Sequence, residues 1–445
     1  MDEELTMKAL EYHAKGQPGK TGIAVTKPFG TSKELSLAYT PGVAAPAMEI
    51  YKDRWKAYRY TNKGNLVAVV SNGTSVLGLG DIGALASKPI MEGKAMLFKI
   101  YADIDAFDIE IGSKEPDRFI AAVQSIAPTF GGINLEDIKA PECFYIEERL
   151  RNLLDIPVLH DDQHGTAVVV AAALINACEV TGKRLEDVSI TICGAGSAGL
   201  STARMLHSIG VDKSHITMTD SKGVINKKRN DLNSMKAEFA TERNVSTLQE
   251  AMIGTDVFIG LSRENLLGDK EIMDMTNKPI IFALANPVPE VSYKHAKSLR
   301  PDAVVATGRS DAPNQINNVL AFPYLFRGAL DTLSTTINEE MKIAAAHAIA
   351  SAAHNMAECS TGGNSQMVQK FGDEYILPKP GDMNLLCKVS AAVAQAAMQS
   401  GVARRRIVSF KEYTDTLRAR TDHEYFFAKR HTREVRIHSK REHEL

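Results

Sequence analysis

Ser189-Ile190-Thr191-Ile192-Cys193-Gly194-Ala195-Gly196-Ser197-Ala198-Gly199 is the stretch that decides the fold. Its first five residues alternate as a strand does and run straight into a glycine-rich turn. There Gly194 allows the tight turn, Gly196 the close approach of a pyrophosphate, and Gly199 close packing of a helix on the strand. Ala195, Ser197 and Ala198 belong to the same loop. Residues 200–209 predict a helix stopped by Gly210. A second strand, 215–219, then delivers Asp220, 21 residues past Gly199, where an acid meets the adenosine ribose. Strand, helix, strand and terminal acid in this order predict a dinucleotide site. Asp220 by itself favours NAD. Lys222, Lys227, Lys228 and Arg229 follow closely and can hold a 2′-phosphate, so NAD and NADP both stay open.

Working outward, strands alternate with helices over 188–193, 216–220, 256–261, 279–285 and 303–307, the rhythm of parallel βαβ units in a doubly wound α/β sheet. Ligands in such sheets sit beyond the carboxyl ends of the strands, which is where Asn286 and Gly308-Arg309 fall. Residues 336–357 and 384–399 read as helices packed back onto the body. Upstream, residues 1–60 are helical and loop-like, with Gly16, Pro18, Gly19 and Gly22 marking a loop. Residues 66–70 and 76–79 read as strands, Pro89 as the start of a helix carrying Lys94 and Lys99, and 103–111 as a half-buried strand.

The chain has 445 residues, too many for one ordinary core, so two or three domains are expected. A net charge of −2 offers no attraction to nucleic acid or anionic membrane. Five scattered cysteines without CxxC spacing argue against a zinc ribbon or a disulfide framework and for a reducing compartment. The acidic N-terminus lacks a secretory apolar region, and the apolar run 167–175 is too short to span a bilayer, so it reads as a buried helix in a cytoplasmic protein. Residues 401–445 carry an excess of five positive charges, read as a solvated tail or a partner-contacting helix.

Two acidic pairs precede the fingerprint, Glu136-Asp137 and Asp161-Asp162. Paired carboxylates suit a hard cation such as Mg²⁺ or Mn²⁺. Neighbours on a strand face opposite ways, so Glu136 and Asp137 can share one metal only if the chain turns there. His160 and His164 raise zinc as the rival, but their spacing matters only on a helix, and Gly165 beside a strand end argues against one. Thr40-Pro41 reads as a helix start, with Thr40 as N-cap and Pro41 at the first position, giving free N–H groups for a carboxylate with Tyr39 at the mouth. Lys94 sits among apolar residues, where burial would depress its pKa and make it a base.

These residues together resemble the malic enzymes of compact bacterial type. The resemblance rests on Tyr39–Ala44 (YTPGVA), Ser71–Gly83 (SNGTSVLGLGDIG), Glu92-Gly93-Lys94, Phe130–Pro141 (FGGINLEDIKAP), His160–Ala167 (HDDQHGTA), Gly194–Gly199, Ala285-Asn286-Pro287 and Gly308–Arg327, in order from about residue 8 to 400. It implies a substrate domain over 1–158, a Rossmann-like nucleotide domain over 159–400 and a tail over 401–445. Glu136, Asp137 and Asp162 would bind Mg²⁺ or Mn²⁺, with Asp161 beside them. Lys94 would take the hydroxyl proton of L-malate, and Tyr39 would protonate the enol left by loss of CO₂. Asn286 and Asn318 would contact cofactor or substrate. NADP is preferred over NAD on this resemblance, and an assembly of two or more subunits is implied.

Three departures stand out. Thr74-Ser75 replace a substrate-binding arginine of larger family members, no phosphotransacetylase-like sequence follows residue 400, and an acid at 220 occurs with either cofactor. Simple hydride transfer without decarboxylation, and a non-catalytic nucleotide-binding scaffold, are the rival functions.

Overall fold

The computed structural model describes residues 3–15, 19–76, 78–354, 370–382 and 384–420. Expectations for residues 355–357, for Gly16, Pro18 and Cys359, and for the tail beyond 420 lie outside the described residues.

Two parallel sheets organise the chain. The first has the order β2-β1-β3-β4, from Leu66–Ser71 (β1), Asp105–Glu110 (β2), Gly132–Leu135 (β3) and Val158–His160 (β4). The second runs β10-β9-β8-β5-β6-β7. It comprises Ile190–Cys193 (β5), Ile216–Asp220 (β6), Gly223–Val224 (β7), Val257–Gly260 (β8), Ile280–Ala283 (β9) and Val304–Thr307 (β10), with only β7 antiparallel. The doubly wound α/β prediction therefore holds. Strand order reverses about β5, which pairs parallel with both β6 and β8, so the crevice at the carboxyl ends of β5 and β8 is the switch point where ligands bind in such sheets.

The inner strands are buried on both faces, as parallel sheets require, while edge strand β2 is half-buried, as expected over 103–111. Along β1, Val67 and Val69 enter one apolar cluster while Leu66, Ala68 and Val70 enter another. The first of these clusters also takes in Ile190 and Ile192 of β5 and the helix Asp161–Thr181, so one core joins the two sheets. That helix is long and apolar enough to cross a membrane, longer than the run 167–175 suggested, yet 72% of its apolar window is buried inside the fold. It is a core helix. The predicted helices near 336–357 and 384–399 are observed as Glu339–Ala352 and Asn384–Gln399.

Three local expectations fail. Of the stretch 76–79, the described residues Val76, Gly78 and Leu79 form no strand: Val76 and Gly80 bond across a turn in which Gly78 and Gly80 take positive φ of 74°. The glycines turn back what looked like an apolar run. Pro89 does not start its helix, which spans Ala84–Ala102 and holds Pro89 in its second turn. The carbonyl deprived of its donor belongs to Leu85, which is 85% exposed, so the loss falls on the solvent side. Thr40 does not cap a helix either. Its bond to Pro41 is cis, and the helix starts at Ala44 after Val43 without a side-chain cap. The N–H groups of Gly42 and Val43 already donate to Ser36 and Tyr39, so no anion site opens there.

Candidate active site

The carboxylate pairs meet because of strand register. In the β3–β4 ladder Leu135 stands opposite His160, so the next residues, Glu136-Asp137 and Asp161-Asp162, emerge side by side at the carboxyl end of the sheet. Asp137 has φ +53°, so the chain does turn between the first pair, and the N–H groups of Thr74 and Ser75 hold that turn by donating to the Asp137 carbonyl. Asp161 and Asp162 occupy the first turn of the core helix, where free N–H groups favour negative charge. That helix includes His164 and Gly165, which overturns the argument from Gly165 against a helix. The two histidines are used differently: His164 lies 2.9 Å from Glu147 and 3.3 Å from the Lys342 ammonium, whereas neither ring nitrogen of buried His160 has a hydrogen-bond partner. Burial pushes His160 down to about 4, so its ring is neutral.

Lys94 reaches this cluster from its helix. Its ammonium lies 2.6 Å from Asp161 and 2.9 Å from Glu136, and 4.1 Å from the centre of the Phe322 ring. Asn318 donates to Asp161 at 2.5 Å and Asn134 to Glu136 at 2.8 Å, while the Asp137 N–H donates to Asp162 at 2.7 Å. Gly165 leaves room for this arrangement, since a Cβ there would lie 1.9 Å from Asp161 Oδ1.

Four carboxylates face one ammonium, three negative charges in excess. Burial is the main cause that pushes Glu136 and Asp161 up to about 7 and Asp137 to about 9, with the neighbouring carboxylates adding and Lys94 opposing. Asp162, still 32% exposed, is raised least, to about 6. Lys94 moves opposite to expectation. Burial alone would lower it, but Asp161 and Glu136 outweigh burial and hold its proton. Among the described residues no three acidic, cysteine or histidine groups stand in a ready-made cation cage. The donor set nonetheless fits a hard dication: all oxygen, over-charged, with Asp137 Oδ2 and Asp161 Oδ1 buried and lacking a hydrogen-bond partner.

At the switch point, Gly194 follows β5 with φ +117°, and a Cβ there would lie 2.3 Å from the Leu261 carbonyl after β8. A Cβ on Gly199 would lie 1.9 Å from the Gly194 carbonyl, whereas one on Gly196 would meet nothing within 4 Å. The helix Ser197–Ser208 thus packs tightly while the loop faces open space. Asn286 closes the neighbouring strand end, its side chain 2.7 Å from where a Gly308 Cβ would stand. Asp220 ends β6 and is held by Arg229 through two bonds of 2.8 and 3.1 Å and by Lys236 at 2.7 Å. Although burial opposes it, these cations bring Asp220 down to about 2. Lys222, Lys227 and Lys228 pair instead with Asp231, Glu242 and Asn244.

Sequence reasoning missed several residues. Asn134 is a lone amide in an apolar strand, a visible signal. Lys236, Glu147 and Glu290 had none. Glu290, fully buried, accepts from the N–H groups of Ser262 and Ala285 and braces the loops after β8 and β9. Tyr39 is the residue the structure does not bring to the cluster: its side chain is exposed on the N-terminal helical segment.

Comparison with known proteins agrees with this arrangement. Residues 18–151 match the family "Malic enzyme, N-terminal domain" and 163–362 the family "Malic enzyme, NAD binding domain". The NADP-dependent malic enzyme of Salmonella typhimurium is 52% identical over 94% of this chain and 55% of its own length, so the chain spans about half of that relative. The NADP-dependent malic enzyme of Halomonas elongata is 50% identical over 91% of this chain and 96% of its own. The crystal structure of malic enzyme from Pyrococcus horikoshii superposes with a TM-score of 0.89 at 42% identity, covering 98% of this chain and 100% of that one. A dinucleotide crevice, a carboxylate–lysine cluster and these matches together place the chain in the malic enzyme family.

Proposed function

We propose that the protein oxidises L-malate with NADP and decarboxylates the product to pyruvate and CO₂, using Mg²⁺ or Mn²⁺. The observation that carries the reading is Lys94 wedged between Asp161 and Glu136 in an over-charged carboxylate cluster. Glu136, Asp137 and Asp162 would hold the cation, and Asp161 would stay with Lys94. When bound, the cation supplies Lewis acidity at the malate C2 oxygen and an electron sink for loss of CO₂.

Lys94 would take the C2 hydroxyl proton, and a bound nicotinamide would supply the acceptor for the C2 hydride. To do so the amine must first shed its own proton. Asp161, 2.6 Å away and already raised to about 7, is positioned to receive it. Loss of CO₂ from the β-keto acid would leave the enolate of pyruvate, whose C3 would take the phenol proton of Tyr39. Asn318 fixes Asp161 and borders the substrate. Gly194, Ala195, Gly196, Ser197, Ala198 and Gly199 cradle the pyrophosphate, with Asn286 near the nicotinamide end. Arg229 and Lys236 neutralise Asp220, which removes its objection to a 2′-phosphate and supports NADP over NAD. The free, buried thiols of Cys143, Cys178, Cys193 and Cys387 support a cytoplasmic setting.

Turnover with L-malate and Mn²⁺, following NADPH and pyruvate together, tests the proposal. Equal amounts of both are expected, whereas NADPH without pyruvate would mean a simple dehydrogenase.

A further inference from the structure

We propose that Glu147 is a positioning residue for the cation site, gripping the first turn of the core helix so that Asp161 and Asp162 point to their separate tasks. The proposal rests on the reading that Asp162 holds the cation and Asp161 serves Lys94.

Glu147 lies on the helix Glu142–Leu153, beside the buried Cys143, Ile146 and Leu150, and is itself 6% exposed. The chemistry proposed above does not use it. A carboxylate in such a place is costly, and an apolar side chain of similar volume often serves stability as well or better, so its charge answers to another need. Its partners are residues at the start of the core helix. One oxygen accepts the His160 N–H at 3.0 Å, and His164 Nε2 lies 2.9 and 3.0 Å from the two oxygens.

Positions 160 and 164 are four apart, on one face, and the two aspartates lie between them. The helix starts directly at the end of β4, and its cap residue His160 makes no side-chain bond to it. In a capping box the third helical residue takes the N–H of the cap. Here that residue is Gln163, whose buried Nε2 has no hydrogen-bond partner, and Glu147 takes the N–H from another helix. Held at both residues, the first turn cannot rotate about its axis. Successive side chains diverge there by about 100°. This rotation therefore decides whether Asp161 meets Lys94 and Asn318 while Asp162 meets the Asp137 N–H.

Lys342 completes the grip. An ammonium only donates, so with Lys342 3.3 Å away His164 Nδ1 accepts, and the ring hydrogen sits on Nε2, facing Glu147. Glu339 anchors Lys342 in turn at 2.5 Å. Glu147 thus accepts from two N–H groups, one at each end of its carboxylate, and a carboxamide can accept at one end only.

Mn²⁺ binding to the full chain, followed by electron paramagnetic resonance of the free ion, tests this beside NADP titration by fluorescence and melting in EDTA. Glu147→Gln keeps the volume and loses one of the two bonds. It should weaken Mn²⁺ binding by about 10–100-fold and lower kcat, with NADP binding as in wild type. His164→Gln can still donate to Glu147 and accept from Lys342, so it should keep more Mn²⁺ affinity than His164→Leu, which does neither. That pair carries the test if Glu147→Gln does not fold. Variants that melt lower but bind Mn²⁺ as wild type overturn the proposal, because the grip then serves only the fold. His164→Gln no better than His164→Leu, or a parallel loss of NADP binding, overturns it too. Asp162→Asn separates the two readings. If it binds Mn²⁺ normally, the cation reading fails and the proposal with it; if it weakens while Glu147→Gln does not, the proposal alone fails.

Discussion

The excess charge of the carboxylate cluster makes the metal-free protein lose stability as pH rises. In the folded chain Asp137 titrates at about 9, Glu136 and Asp161 at about 7 and Asp162 at about 6. Unfolded, all four lie near 4. Folded pKa values above the unfolded ones mean that the native state binds more protons. The stability they lend is complete below about pH 4 and drains as pH climbs through 6 to 9. From pH 6.5 to 8.5 the loss integrates to on the order of 4 kcal/mol, an upper figure because the groups are coupled. For a chain of 445 residues that is roughly 4 °C in thermal midpoint. The window lies above the titration of His160, whose lowered pKa acts in the opposite sense at acid pH. Calorimetry in EDTA across this range checks the slope, and the same series in Mn²⁺ isolates the cluster, because a dication there replaces the protons. A midpoint that stays flat or rises in EDTA, or a fall that Mn²⁺ leaves unchanged, refutes the reasoning.

Other perturbations separate the roles of individual residues. Lys94→Ala should cut malate oxidation by about 10²–10⁴-fold while NADP titration by fluorescence stays normal, since the amine lies outside the glycine loop. Asp162→Asn, which keeps the size of the side chain that accepts the Asp137 N–H, should raise the Mn²⁺ needed for half-maximal turnover by about 10–100-fold. Gly165→Ala puts a Cβ 1.9 Å from Asp161 Oδ1, so Asp161 must swing off Lys94, while helix propensity gains about 1 kcal/mol. Turnover should fall with the thermal midpoint nearly unchanged, and normal kcat would mean that Asp161 does not position Lys94. Arg229→Gln should raise KM for NADP by about tenfold and KM for NAD far less, whereas equal shifts would make Arg229 only a brace for Asp220.

What could be read from sequence was what is local. The fingerprint was legible because its turn is made within a few residues, a Cβ on Gly199 meeting the carbonyl of Gly194. The inner strands were legible because both their faces are buried and their residues run apolar, and β2 because its apolar and acidic residues alternate. The errors fall where local signs compete. Thr40-Pro41 has the chemistry of a helix start, but Gly42 folds back onto Ser36 and delays the helix to Ala44. Lys94 was expected to lose its proton on burial. Its partners Asp161 and Glu136, 67 and 42 positions away, reverse that, and no spacing rule reports them. Lys236 on Asp220, 16 positions apart, and Glu290 on Ser262, 28 apart, are likewise set by the fold and not by a spacing rule.

One element shows why both halves of the chemistry had to appear in one chain. The helix Asp161–Thr181 starts at the carboxyl end of β4 with the two aspartates of the cluster in its first turn. Its buried body then shares a core with the helix Ser197–Ser208, which opens at the dinucleotide loop. A shift of this helix along its axis would displace Asp161 from Lys94 and disturb the seat of the fingerprint helix together. Close packing resists such a shift, because Val168 through Leu174 are fully buried and leave no room to slide. The spacing between the glycine loop and the carboxylate–lysine cluster is therefore set by the apolar residues that made this stretch resemble a membrane span, and not by the charged residues at either end.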